Sequence, residues 1–398
     1  MKASIRHSLL ISLCIFASGC SKEDDPIKDS LIVEADIVNS RSAAELKAYL
    51  YLSGFDIDPA AMKYDVDVIK VAYESTYKGK PIVASGLIVL PKTSDPVGMV
   101  SFQHGTISTQ AEAPSVQPSD SFQLLIAAAL SSTGLIAVIP DYIGFGTSSD
   151  IFHPYFVEDA TATAVIDNIL AARELAETNR VNFDGKLFLA GYSQGGYATL
   201  AAQKYIEQNG LDGFNLIATF PGAGGYDVKS MQEYLFSQDQ YDNPFYIAYV
   251  ARSYESHYDW ENGLSDFFQE PFAANIPTLF NGTNSTTVIN QQLTTNIDDL
   301  ISMELLTNAE TDPQFEYIIS AFEENSLTDW TPSTPTYMYH GDMDTTVPYS
   351  NSVVTYDTFI SNGARENTIH FTTLAGTDHT TAVKPYIEDF LPKMISML

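Results

Sequence analysis

A serine in the setting of a nucleophile lies near the middle of the chain, in the sequence Gly-Tyr-Ser-Gln-Gly at residues 191–195. A serine hydroxyl is a weak nucleophile by itself, so it needs a sharp turn that exposes it and a histidine that accepts its proton. The apolar run before the motif predicts a buried strand, and the residues after it show helical spacing. A strand that enters a helix through Ser193 strains the backbone and requires small neighbours, which Gly191, Gly195 and Gly196 provide.

Two later loops supply candidate partners for Ser193. The loop after the next-to-last predicted strand contains Asp342 and Asp344, and the loop after the last strand contains His379. Loops at the carboxyl ends of parallel strands converge, so we expect His379 to accept the Ser193 proton and Asp344 to fix the imidazole tautomer. Asp342 is the rival acid, but the spacing His-Gly-x-x-Asp-x-x-Val-Pro, which begins at His340, favours Asp344.

The other titratable residues at this edge of the predicted sheet are weaker candidates for a catalytic role. His104 and His153 are predicted on the same side of the sheet, but both precede Ser193 in the chain. His104 is interpreted as a structural loop residue rather than a base. Asp378, next to His379, is interpreted as a carboxylate that stabilises its own loop.

An oxyanion hole requires two backbone N–H groups that face the developing negative charge. Gln194, directly after the nucleophile, is the first candidate. The second comes from the turn Gln-His-Gly-Thr at residues 103–106, which follows a predicted strand. Thr106 is favoured as the donor, with Gly105 as the alternative.

The order of predicted elements indicates an α/β fold. A hairpin brackets the turn at residues 78–80, and strands and helices then alternate, which predicts an antiparallel start followed by a mostly parallel sheet. This arrangement resembles the α/β-hydrolase fold, which also uses the chain order Ser, Asp, His. A stretch at about 227–333 lacks strand alternation and is rich in aromatic residues, so we expect a helical cap inserted before the acid-bearing strand. The hydrolase domain is assigned to residues 41–398.

Several short motifs extend the resemblance to the secretory lipase family. They are Pro-Asp-Tyr-Ile-Gly-Phe-Gly at 140–146, His-Pro-Tyr at 153–155, the serine motif, Phe-Pro-Gly-Ala-Gly-Gly at 220–225 and Asp-Trp-Thr-Pro at 329–332. The resemblance covers roughly residues 80–398. It implies a capped serine hydrolase that cleaves carboxylic esters, including acylglycerols, and needs no cofactor or metal.

The composition narrows the class of partner. The chain of 398 residues carries 50 acidic and 20 basic residues, for a net charge of −30. No basic stripe is present to neutralise phosphates, so nucleic acid is not expected as a partner. The expected substrate is a small-molecule or lipid-like ester.

The N-terminus has the features of an export signal. Lys2 and Arg6 precede an apolar stretch, and small residues lead to Cys20. Residues 1–19 resemble a bacterial lipoprotein signal peptide with Cys20 as the lipidated residue, and the acidic residues that follow resemble a surface-export signal. Residues 20–40 are interpreted as an acidic tether, which predicts a protein anchored to the bacterial outer membrane on the extracytoplasmic side. The alternative is an ordinary secretory signal with an incidental cysteine.

Together these features predict a serine esterase or lipase that acts through an acyl-enzyme intermediate. Two other functions stay open at this point. One is a serine peptidase of the prolyl-oligopeptidase type, although the cap offers no obvious anchor for a peptide terminus. The other is a non-catalytic binding lipoprotein on a hydrolase scaffold, although such proteins usually lose a member of the triad.

Overall fold

A single sheet forms the centre of the fold. The computed structural model describes residues 30–118 and 120–398, and within them the sheet has nine strands. In chain order the strands are β1 (Ile32–Arg41), β2 (Val66–Tyr77), β3 (Lys80–Pro91), β4 (Val97–Gln103), β5 (Leu135–Pro140), β6 (Phe183–Tyr192), β7 (Asn215–Gly222), β8 (Thr336–Gly341) and β9 (Ile369–Leu374). Their spatial order is β1-β2-β3-β5-β4-β6-β7-β8-β9.

The strand directions confirm the predicted fold class. The pairs β1–β2, β2–β3 and β3–β5 are antiparallel. All pairs from β5 through β4 to β9 are parallel. The carboxyl ends of β4, β6, β8 and β9 therefore lie along one edge of the sheet, where the predicted site residues follow them.

Fourteen α-helices lie within the described residues. They are α1 (Ala43–Ser53), α2 (Phe122–Ser132), α3 (Glu158–Thr178), α4 (Gln194–Asn209), α5 (Val228–Phe236), α6 (Pro244–Tyr258), α7 (Gly263–Phe267), α8 (Phe272–Leu279), α9 (Thr286–Asn290), α10 (Ile297–Leu300), α11 (Met303–Asn308), α12 (Glu316–Glu324), α13 (Tyr349–Ser361) and α14 (Val383–Ile395). Across the described ranges, no helix has both the length and the apolar character that a membrane crossing needs.

The sheet is covered on both faces, which explains the continuous apolar character of its central strands. Every residue of β4 and β5 is buried. Successive side chains of a strand point to opposite faces. Accordingly, Leu187 and Leu189 of β6 pack into the cluster that contains α3 and α4, whereas Phe188 and Ala190 pack into the cluster with α1, α2 and α14. Strand β6 is thus held from both sides directly before Ser193.

Helices α5 to α12 form an insertion between β7 and β8, which we call the helical insertion (residues 223–335). Its aromatic residues pack against the segment that follows β5. Tyr249 stacks on Tyr155 with ring centroids 4.4 Å apart, and the Tyr254 hydroxyl donates to the carbonyl of Phe156 at 3.0 Å. These contacts fix the helical insertion over the carboxyl edge of the sheet.

The N-terminal end of the described chain corrects one sequence-based boundary. A tether was expected up to residue 40, but Ile32–Arg41 forms strand β1 and pairs with β2 from Tyr73 to Val66. Most residues of β1 are exposed, so its side chains carry little hydrophobic pattern. The segment is a strand because its main chain is hydrogen-bonded to β2. The amino-acid composition alone does not indicate such pairing. Residues 1–29, which include the predicted signal and Cys20, lie outside the described residues.

Candidate active site

Ser193 lies at the junction between the end of β6 and the start of α4. Its backbone angles are φ 60° and ψ −123°, a region that residues with a side chain rarely occupy. The Ser193 N–H donates to the carbonyl of Gly222 at 2.8 Å, which ties the turn to the neighbouring strand β7. The strained turn projects the hydroxyl beyond the carboxyl edge of the sheet.

The glycines around Ser193 are required by close backbone contacts. A Cβ on Gly191 would lie 2.3 Å from the carbonyl oxygen of Gly195, and one on Gly196 would lie 2.3 Å from that of Gly222. A Cβ on Gly195 would approach the carbonyl oxygen of Gln103 to 1.9 Å. The strand and helix can therefore close on each other only with glycine at these positions.

Gly195→Ala is expected to destabilise the protein by about 3 kcal/mol, the upper part of the usual range for overpacking, because the rigid carbonyl of Gln103 must move. Gly105→Ala is the matched control. Its Cβ would meet nothing closer than 3.6 Å, so stability should stay within about 1 kcal/mol of wild type. The added methyl group would nevertheless lie 3.8 Å from the Ser193 Cβ, and kcat/KM should fall. Chemical denaturation and ester hydrolysis measure both effects, and equal stability of the two variants would contradict this account.

The loops after β8 and β9 bring a histidine and a carboxylate to Ser193. His379 Nε2 lies 2.8 Å from the Ser193 hydroxyl, and His379 Nδ1 lies 2.5 Å from Asp344 Oδ2. An ionised carboxylate only accepts, so Nδ1 carries the ring proton and donates it to Asp344. The unprotonated Nε2 then accepts the hydrogen bond from Ser193. This geometry allows the imidazole to remove the proton from the serine hydroxyl.

Asp344 is held in its ionised form by hydrogen bonds. Its side chain is fully buried, and burial alone would raise its pKa. Hydrogen bonds from His340 and His379 outweigh that effect and lower the pKa of Asp344 to about 2. The backbone N–H groups of Thr346 and Val347 donate to its other oxygen at 2.9 and 3.0 Å. Asp344 is therefore an anion of fixed orientation.

His340 also contacts Asp344, and this contact was not predicted from the sequence. Its Nε2 lies 3.1 Å from Asp344 Oδ2 and 3.0 Å from the Val347 carbonyl, and its Nδ1 lies 2.6 Å from the Ser352 hydroxyl. Both groups near Nε2 are acceptors, so Nε2 carries the proton and Nδ1 accepts from Ser352. The four-residue spacing between His340 and Asp344 was the available signal, because the short turn at the end of β8 brings them together.

Ionised Asp344 is expected to contribute to acid stability. Its folded pKa of about 2 lies below the ordinary value of 3.8, so the stabilisation is complete above about pH 4 and is lost as pH falls towards 2. Between pH 5 and pH 2.5 the wild type should lose about 1.5 kcal/mol more unfolding free energy than Asp344→Asn, which cannot titrate there. Urea denaturation at the two pH values measures this difference, and equal losses would contradict it.

The rival carboxylates lie elsewhere in the same loops. Asp342 accepts a hydrogen bond from the backbone N–H of Gly376 at 2.6 Å and so links the two loops. Asp378 accepts from the backbone N–H and the hydroxyl of Thr381 and from the backbone N–H of Thr380, and these bonds lower its pKa. Each of the two carboxylates is therefore engaged with backbone groups, and of the three carboxylates in these described loops only that of Asp344 is hydrogen-bonded to His379.

The candidate oxyanion donors belong to Gln194, which follows Ser193, and to the turn that brings Gly105 against Ser193. The Gln194 N–H is the first of α4, and helix geometry leaves such groups without an intrahelical acceptor. In the part of the chain that the structure describes, neither this N–H nor that of Thr106 donates to a protein acceptor. Gly105 lies against the serine, since a Cβ on it would be 3.8 Å from the Ser193 Cβ. The Thr106 hydroxyl is 2.9 Å from that of Tyr155.

The two buried histidines of the earlier loops support the main chain. His153 Nδ1 donates to the Ile143 carbonyl at 2.7 Å, and its Nε2 accepts from the Gln194 amide at 2.8 Å. Burial lowers the pKa of His153 to about 3, which keeps it neutral and able to accept that bond. His104 Nδ1 donates to the Gly105 carbonyl at 2.7 Å, and burial also lowers its pKa. The hydrogen bond that the Gln194 side chain donates to His153 was not predicted from the sequence.

An apolar cavity opens at Ser193 beneath the helical insertion. Its walls come mainly from α5, α6, the Tyr155–Phe156 segment and the loop that carries Asp344, and they contain no charged residue. The lining residues are Tyr155, Phe156, Ser193, Val228, Met231, Gln232, Leu235, Phe236, Tyr241, Tyr246, Ile247, Val250, Phe267, Phe322, Thr346 and Val347. Such a surface favours an apolar part of a substrate next to the serine.

Comparisons with known proteins agree with this geometry. The model of the secretory lipase family matches residues 105–385 of this chain. No curated protein sequence gives a significant match.

Three solved structures illustrate the similarity in fold. A Legionella pneumophila protein described as a hydrolase is 23% identical, with a TM-score of 0.81 over 92% of this chain and 98% of its own. A mutant of the rice cell wall degrading esterase LipA from Xanthomonas oryzae is 24% identical, with a TM-score of 0.79 over 92% and 96%. Candida antarctica lipase A in its closed state is 16% identical, with a TM-score of 0.63 over 88% and 78%. The family match covers most of the chain, so this protein belongs to the secretory lipase family and is a carboxylic ester hydrolase with an α/β-hydrolase fold.

Proposed function

We propose that this protein is a serine esterase or lipase in which Ser193, His379 and Asp344 form the catalytic triad. The observation that carries the proposal is the unbroken series of hydrogen bonds from the Ser193 hydroxyl through His379 to buried Asp344. His379 accepts the serine proton as Ser193 attacks the ester carbonyl, and Asp344 stabilises the imidazolium that forms. The histidine then gives the proton to the departing alcohol, which leaves an acyl-enzyme.

The second half of the reaction repeats these steps with water. His379 accepts a proton from water as the water attacks the acyl carbonyl, and it returns the proton to Ser193 when the acid leaves. The backbone N–H groups of Gln194 and Thr106 stabilise the tetrahedral oxyanion in both halves, with Gly105 as the alternative donor. Gln194 directly follows Ser193, and Thr106 directly follows Gly105, on which an added Cβ would lie 3.8 Å from the Ser193 Cβ. In the described part of the chain neither N–H donates to a protein acceptor, which supports this role. No metal or cofactor takes part in the proposed reaction.

The substrate is an ester with an apolar acyl or aryl group. The uncharged and mainly apolar or aromatic walls of the cavity at Ser193 support this choice. Helices α5 and α6 provide much of the wall, so the helical insertion acts as a cap over the site.

The proposed location is extracytoplasmic, with a lipid anchor on Cys20 that attaches the protein to the outer membrane. The family description as secretory lipases supports export. Labelled palmitate should be incorporated into the wild-type protein and not into Cys20→Ser. Incorporation into both would contradict the anchor at this residue.

The test of the proposed activity is a comparison of p-nitrophenyl esters from acetate to palmitate. We expect turnover by the wild type, and the chain length with the highest kcat/KM separates an esterase from a lipase. A peptide amide assayed in parallel should react far more slowly. Preferred cleavage of the amide would favour the peptidase, and no turnover of any substrate by folded protein would favour a binding function.

A further inference from the structure

One face of α5 forms a wall of the cavity at Ser193. The residues that line it are Val228, Met231, Gln232, Leu235 and Phe236, which follow the spacing of a single helix face. Four of the five are apolar, as expected for a wall that faces an apolar cavity. Gln232 is the exception.

The side-chain oxygen Oε1 of Gln232 is buried without a hydrogen-bond partner. The residue is 8% exposed, and its Oε1 lacks any hydrogen-bond partner. Among the described residues, other buried side-chain atoms share this lack, including His104 Nε2 and Tyr226 Oη, but Gln232 alone of that group lines the cavity with Ser193. Burial of an amide oxygen without a hydrogen bond is unfavourable, so a ligand group that supplies the bond is favoured at this position.

We propose that Gln232 determines specificity by accepting a hydrogen bond from a hydroxyl group on the apolar part of the ester that enters this cavity. The inference rests on the proposed function of Ser193, and it adds a polar requirement to an otherwise apolar substrate. An acceptor oxygen needs a donor, and the donor is uncharged because the walls hold no carboxylate to pair with an ammonium group. The hydroxyl belongs either to the acyl part or to the alcohol part of the ester.

Two series of esters test the proposal and distinguish those sources. The acyl series compares methyl octanoate with methyl octanoates hydroxylated at successive carbons. The alcohol series compares octyl acetate with acetates of octanediols. Acid release in a pH-stat gives kcat/KM for wild type, Gln232→Leu and Gln238→Leu. Gln238 lies just after α5 and outside the cavity lining, so it is a control for the same chemical change.

In one of the series, the wild type should prefer at least one hydroxylated ester, and Gln232→Leu should lower that preference roughly three- to tenfold. Gln238→Leu should leave it unchanged. Thermal unfolding gives a second measurement, because Gln232→Leu removes an unsatisfied buried amide and should raise Tm of the free protein.

The results separate this inference from the proposed function. A preference that is the same in wild type and Gln232→Leu, in both series, would overturn the inference while the esterase activity stands. A lower Tm for Gln232→Leu would also overturn it, since the amide would then already have a partner in the free protein. No turnover of methyl octanoate or octyl acetate by the wild type would instead contradict the proposed function.

Discussion

Replacement of Ser193 by alanine is expected to lower kcat for ester hydrolysis by roughly 10⁵- to 10⁶-fold. The variant loses the oxygen that we propose attacks the carbonyl, and His379 Nε2 loses its hydrogen-bond donor at 2.8 Å. The apolar cavity and the proposed oxyanion donors at Gln194 and Thr106 are retained in the variant, so KM should change little. Steady-state hydrolysis of p-nitrophenyl butyrate measures both constants.

The thermal stability of Ser193→Ala shows whether the variant is still folded. The variant keeps the Ser193 N–H that bonds to the Gly222 carbonyl, so Tm should remain within a few degrees of the wild type. A folded Ser193→Ala protein that keeps more than about one hundredth of the wild-type kcat would contradict the assignment of the nucleophile.

Asp344→Asn is expected to lower kcat by roughly 10⁴-fold. The carboxylate holds the proton on His379 Nδ1, which leaves Nε2 free to accept the proton of Ser193. An asparagine amide can instead donate to Nδ1, and the histidine then carries its proton on Nε2, where it cannot act as a base. The asparagine oxygen can still accept from the Thr346 and Val347 N–H groups, so the loop should keep its conformation.

Asp342→Asn is the matched control, since it makes the same chemical change two residues earlier. The Asp342 carboxylate binds the backbone N–H of Gly376, and an asparagine oxygen can accept the same bond. We expect kcat within about threefold of the wild type. A loss for Asp342→Asn as large as that for Asp344→Asn would show that loop position, rather than contact with His379, governs activity.

The features that could be predicted from the sequence depend on neighbours in the chain. The turn at Ser193 is an example, because the preceding apolar strand and the glycines at 191, 195 and 196 are adjacent to it. The parallel strands were predictable because both of their faces are buried, and β4 and β5 consist of residues that are all buried. The loops that follow parallel strands lie at the carboxyl edge of the sheet. The sequence therefore predicted Asp344 and His379 at the same edge as Ser193.

Features that depend on contacts distant in the chain were missed. Strand β1 is mostly exposed, so its sequence resembles a polar linker, and pairing with β2 is what makes it a strand. The bond from Gln194 to His153 joins residues 41 positions apart, and no local pattern indicates it. The helical insertion includes helices of four to six residues, such as α9, α10 and α11, which are too short to show a hydrophobic period.

Covalent trapping tests the central claim most directly. The wild-type protein would be incubated with diethyl p-nitrophenyl phosphate, digested and analysed by mass spectrometry, with remaining esterase activity measured in parallel. The account predicts one diethylphosphoryl group on Ser193, formed in proportion to the loss of activity, and no such adduct in Ser193→Ala. Full inactivation with the adduct on another residue, or full activity with Ser193 modified, would contradict the account.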